Sequence, residues 1–166
     1  PQIKHVSQLI GEHTRIFLYG FGSSGLAAQE FQLRLLRLGM DAEAITELHQ
    51  MVLNEARITN ACLVIGISLS GATRELIDAL DRAKARGAAV IYLTSSNAER
   101  EKRTYEEIVL APVKKNLEYG NVISPQFPIL LILDLIYAQL LKEDRRSTEA
   151  QYDTHIWERI KDYHVG

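Results

Sequence analysis

Two apolar runs in this chain end in turns rich in glycine and serine and lead straight into helical patterns. The first runs from Arg15 to Tyr19, continues through Gly20-Phe21-Gly22-Ser23-Ser24-Gly25, and enters a helical stretch from Leu26 to Leu38. The second runs from Cys62 to Ile67, continues through Ser68-Leu69-Ser70-Gly71-Ala72-Thr73, and enters a helical stretch from Arg74 to Ala85. Apolar runs without polar alternation read as strands covered on both faces. Strand, turn and helix in succession mean parallel βαβ units with right-handed crossovers. Few architectures accommodate that pattern.

The alternation continues along the whole chain. The periodicity predicts strands at 15–20, about 42–46, 62–68, 89–93 and 108–110. It predicts a lead-in helix at 3–12, then helices at about 24–38, 47–57, 73–86, 98–104, 126–142 and 147–164. Gly39 and Gly87 stand where helices stop. The expected fold class is therefore α/β, a three-layer αβα sandwich around a five-stranded parallel sheet. One domain is expected over 1–166, with its core at about 12–142. Ligands of such sheets bind at the carboxyl ends of the strands. Gly20–Gly25, Ser68–Thr73 and Thr94–Asn97 all fall there.

The turn chemistry points to an anion. The first turn of a helix has unpaired N–H groups, and the helix dipole favours negative charge there. Ser68, Ser70 and Thr73 add hydroxyl donors with adjustable direction, and Gly71 lets the backbone approach a ligand. A plain N-cap is the simpler reading, but a cap uses one hydroxyl. Three hydroxyls and a glycine suit a phosphate monoester. The first turn also satisfies G-x-G-x-x-G, a dinucleotide fingerprint, with Glu47 near the distance of a ribose-binding acid. A dinucleotide site has no use for the second, hydroxyl-rich turn. Two such turns side by side fit a small phosphorylated, polyhydroxylated ligand better. The candidate binding residues are Gly22, Ser23, Ser24, Ser68, Leu69, Ser70, Gly71, Thr73 and, at the fourth strand end, Ser95.

Composition narrows the function classes. Lys+Arg 19 against Asp+Glu 21 gives −2, so no basic surface for nucleic acid is expected in this chain. One cysteine, Cys62, excludes an internal disulfide and suits a reducing compartment. No leader pattern opens the chain, and the longest apolar run, Phe127 to Leu133, is too short to span a bilayer. The cytoplasm is the expected location, with no membrane partner. None of the five histidines adjoins a glycine turn and none pairs at zinc spacing, so no metal and no other cofactor is expected.

These turns resemble the SIS domain, the sugar-isomerase fold. Ser68, Ser70, Gly71 and Thr73 match its Ser-x-Ser-Gly-x-Thr signature, and Gly20, Gly22 and Ser24 match its Gly-x-Gly-x-Ser turn. Glu118, Gly120 and Phe127 are in step with its acidic segment and long helix. The resemblance implies a flavodoxin-like sheet that binds a phosphosugar, with Ser68, Ser70 and Thr73 on the phosphate. It implies that Glu118 would lie near the sugar, as the base if the protein were an enzyme. The stretch from Glu47 to Ser68 is most similar to effector domains of RpiR-type transcription regulators. That likeness implies a ligand sensor without turnover, with DNA binding only through an upstream helix-turn-helix domain not in this chain. Leu130, Leu131, Leu133, Leu135, Ile136 and Leu140 give the long helix more apolar surface than one sheet face needs, so a homo-oligomer (dimer or tetramer) is expected. Pro1 in place of a methionine is expected of a processed chain or of a piece of a longer one. A stand-alone aldose–ketose isomerase is the alternative. Ser124-Pro125-Gln126 departs from the regulators, which usually carry serine and a basic residue there.

Overall fold

The computed structural model describes residues 1–69, 73–96, 104–111, 124 and 126–144. Helix α1 (Gln2–Glu12) leads into β1 (Arg15–Gly20), α2 (Gly22–Arg37) and β2 (Ala42–Ile45). Helix α3 (Leu48–Asn54) tightens into a 3₁₀ turn (Glu55–Arg57) before β3 (Cys62–Ser68). Then come α4 (Arg74–Ala85), β4 (Ala89–Thr94), β5 (Glu107–Leu110) and α5 (Phe127–Asp144). All five expected strands form. The sequence-based start of α2 at 24 is two residues late. Gly22, Ser23 and Ser24 read locally as turn residues, yet they lie inside the helix. The helix expected at 98–104 lies outside the described residues except for Thr104, which is not helical. The helix expected at 147–164 lies outside them entirely.

The sheet is wholly parallel, in the order β2-β1-β3-β4-β5. Its register places Leu18 beside Ile65 and Ile65 beside Ile91. Successive strand residues face opposite sides, which splits the core in two. Ile16, Leu18, Leu63, Ile65, Ile67, Ile91 and Leu93 pack under α1, α2 and α5. Phe17, Tyr19, Val64, Val90 and Tyr92 pack under α3 and α4. Both faces are covered, which explains why these strands are continuously apolar.

The chain passes from β1 outward to β2, then returns to place β3 on the other side of β1. The crossover direction therefore reverses between β1 and β3. At such a switch point the two outgoing helices lie on opposite faces and leave a crevice at the carboxyl edge.

Candidate functional site

Both glycine–serine turns open into that crevice. The first is held by close backbone contacts. A Cβ on Gly25 would lie 2.8 Å from the Gly20 carbonyl oxygen and 3.0 Å from Thr46 Cγ2. Glycine is thus what lets α2 begin directly against the end of β1. Gly22 has φ +52°, in the left-handed region. Phe21 is the N-cap residue, with extended backbone, and its carbonyl accepts from the N–H groups of Ser24 (3.0 Å) and Gly25 (3.2 Å). Gly22 and Ser23, the residues before them, precede any intrahelical acceptor. Ser24 is buried and Ser23 exposed.

The second turn closes from β3 to α4. Ser68 ends the strand at 4% exposure, and its hydroxyl lies 3.4 Å from that of Thr73. Thr73 is the N-cap residue of α4, yet its side chain makes no capping hydrogen bond. Its carbonyl does the local work, accepting from Leu76 N–H (3.1 Å) and Ile77 N–H (3.2 Å). The Thr73 hydroxyl is therefore turned to Ser68 rather than spent on the helix, which counts against the plain capping reading.

Between the two turns lies a cavity of about 200 Å³ lined by Phe21, Ser23, Ser24, Ile67, Ser68, Leu69 and Thr73. Pockets that enclose a drug-sized ligand run about 300–1,000 Å³. The space suits the anionic head of a ligand. None of the described lining residues carries a charge. An anion here meets hydroxyls, backbone N–H groups and the positive ends of α2 and α4.

Of the residues expected from sequence, Ser23, Ser24, Ser68, Leu69 and Thr73 are brought together. Gly22 shapes the first turn without lining the cavity. Ser95 sits behind it: its hydroxyl donates to the Leu69 carbonyl and ties the end of β4 to the second turn. Ser70, Gly71 and Glu118 lie outside the described residues. Phe21 also lines the cavity and is not among the residues expected from sequence. Its place between two glycines at a strand end was the available signal. Tyr19 is buried on the α3–α4 side of the sheet, and its hydroxyl accepts from Asn54 Nδ2 at 2.8 Å. Burial is the largest influence and raises the Tyr19 pKa, so this phenol stays neutral. Among the described residues, no three His, Cys, Asp or Glu side chains group as metal ligands would. Nor is any described helix long and apolar enough to cross a membrane.

Comparison with known proteins places this geometry in context. Residues 8–130 match the family model described as SIS domain. An uncharacterised HTH-type transcriptional regulator of Haemophilus influenzae is 31% identical over 141 residues, covering 85% of this chain and 49% of its own length. The chain thus spans about half of that relative. The sugar isomerase domain of the RpiR transcription factor from Sphaerobacter thermophilus has the same fold, with TM-score 0.79 at 20% identity, covering 97% of this chain and 86% of that one. So has the Vibrio vulnificus NanR protein complexed with ManNAc-6P, with TM-score 0.79 at 22% identity, covering 96% of this chain and 59% of that one.

Proposed function

The chain belongs to the SIS domain family, and we propose that it is the phosphosugar-sensing effector domain of an RpiR-type regulator of carbohydrate metabolism. One observation carries the reading: two helix N-termini and the hydroxyls of Ser24, Ser68 and Thr73 converge on one uncharged cavity at the switch point of the sheet. Ser70 and Gly71 complete the second turn by sequence. A phosphate monoester is the ligand that satisfies hydroxyl donors, backbone donors and two dipoles at once. Proton transfer needs a group that titrates near the working pH. Glu118, the one base that the sequence offers, lies outside the described residues, so incubation with a bound sugar phosphate is what separates sensor from isomerase.

The proposed response is mechanical. The bound phosphate neutralises the positive ends of α2 and α4 and draws them together. Helix α2 is tied to α5 by an Arg34–Asp134 ion pair and by the Arg34 guanidinium stacked 4.2 Å from the Tyr137 ring centre. A shift of α2 therefore moves α5. These helices expose Leu26, Leu33, Phe127, Leu131 and Leu135, and the proposed partner for that face is a second copy of the chain. Re-spacing such a dimer would re-space DNA-binding domains carried upstream, in the cytoplasm. That is differential binding to two states, and effector couplings of this kind are worth about 1–3 kcal/mol.

The test is a thermal-shift panel of hexose, pentose, amino-sugar and acid-sugar phosphates, with inorganic phosphate and NAD(P) as controls. Stabilisation by one or two sugar phosphates, weakened in Ser70→Ala, supports the reading. Incubating the hit then separates sensor from isomerase. A shift with NAD(P) alone overturns it.

A further inference from the structure

Phe21 lines the cavity beside four hydroxyl-bearing residues, Ser23, Ser24, Ser68 and Thr73. Its carbonyl is committed to two N–H groups of α2. The glycines on either side of the turn, Gly20 and Gly25, hold the backbone against the strand end. The backbone that carries the ring is therefore held at the strand end. One side of Phe21 packs on the cluster formed by Phe17, Tyr19 and their neighbours under α3 and α4, and the residue is left half-buried. A half-buried aromatic side chain beside an anion pocket contributes nothing to holding phosphate oxygens. What it offers is a rigid apolar surface at the cavity wall.

We infer that Phe21 is a specificity-determining residue: the hydroxyl turns hold the phosphate, and Phe21 reads the carbon skeleton attached to it. The inference rests on the phosphosugar reading above and adds a division of labour to it. The C–H faces of a sugar present apolar area that packs on an aromatic wall and leaves water. Which sugar faces the ring correctly depends on its stereochemistry. Inorganic phosphate has no such surface and is indifferent to the ring. The ligand class that follows is a sugar phosphate with an uninterrupted C–H face near the phosphate-bearing carbon.

The experiment compares dissociation constants of inorganic phosphate and of the best sugar phosphate for the wild type, Phe21→Ala and Phe21→Leu. Phe21→Leu keeps the rim packing and covers the case in which Phe21→Ala does not fold. The expected result is unchanged affinity for inorganic phosphate, within twofold, and a sugar phosphate weakened about tenfold, equivalent to about 1.4 kcal/mol. The preference among sugar phosphates collapses in the same variants. Equal weakening of both ligands, or of neither, overturns the role of Phe21 and leaves the phosphosugar reading intact. A wild type that binds neither ligand overturns that reading and this inference with it.

Discussion

The Ser68 and Thr73 hydroxyls face each other 3.4 Å apart across the turn from β3 to α4. That separation is long for an O–H···O bond, whose usual range is about 2.5–3.0 Å. Little is lost when the pair opens to admit a phosphate oxygen. Removing the Thr73 hydroxyl is therefore expected to act on binding more than on folding. A hydrogen bond to a charged group is worth about 1.5–3 kcal/mol. Thr73→Val is expected to weaken sugar-phosphate binding by roughly ten- to a hundredfold, with a small change in melting temperature. Calorimetric titration and a thermal melt together check it. A lowered melting temperature with unchanged affinity would reduce Thr73 to a helix cap.

A side chain at Gly25 is expected to destabilise the fold. A Cβ there would meet the Gly20 carbonyl oxygen at 2.8 Å, and backbone cannot move aside cheaply. Overpacking of this kind costs about 1–3 kcal/mol. At this chain length 1 kcal/mol corresponds to about 2–4 °C, so Gly25→Ala should melt several degrees lower. Gly22→Ala has open space around it and carries only the left-handed backbone penalty, about 1–2 kcal/mol. Melting both variants tests the difference in mechanism. A Gly25→Ala protein as stable as the wild type contradicts the close contact.

Acid should act on Glu106. Burial pushes its carboxyl up, but the Lys84 ammonium and the Val90 N–H, 2.6 Å from Oε2, outweigh it and leave the pKa below the ordinary value. The folded pKa lies under the unfolded one. The stability this carboxylate contributes is therefore present above the ordinary glutamate range and is lost as pH falls through the folded value. Glu106→Gln should lower the urea midpoint at pH 7 and flatten its fall between pH 5 and pH 3. An acid limb as steep as the wild type's would mean that other carboxylates govern it.

The exposed leucines of α2 and α5 give the association test. Leu33 and Leu131 are 59% and 46% exposed in the single chain. Sedimentation should find an oligomer for the wild type and a monomer for Leu33→Glu with Leu131→Glu. Neither position lies in the core, so the variant should remain folded. A monomeric wild type removes the proposed route from ligand to DNA spacing.

Much of the site was legible early because its determinants are local. A strand that ends in Ser68 and a helix that begins after Thr73 announce a turn with free donors wherever the chain goes next. The serines of the first turn were legible for the same reason, although their place inside α2 was not. Gly22, Ser23 and Ser24 have poor helix propensity. Their helical state comes from the Phe21 carbonyl, which accepts the first bonds of the helix, and from the fit of Gly25 against Thr46, a tertiary contact that no local pattern shows.

Hydrophobic periodicity and turn chemistry by themselves determined the element types, their order and the parallel sense of the sheet, since each depends on neighbours within a few residues. The tertiary structure decided the strand order β2-β1-β3-β4-β5, and with it the meeting of Ser24 with Ser68 and Thr73. It also put Phe21 on the cavity wall and sent the Ser95 hydroxyl to the Leu69 carbonyl behind it. Strand order depends on which crossover buries the most apolar surface on each face of the sheet. That is a property of the whole chain, and no short stretch of sequence contains it.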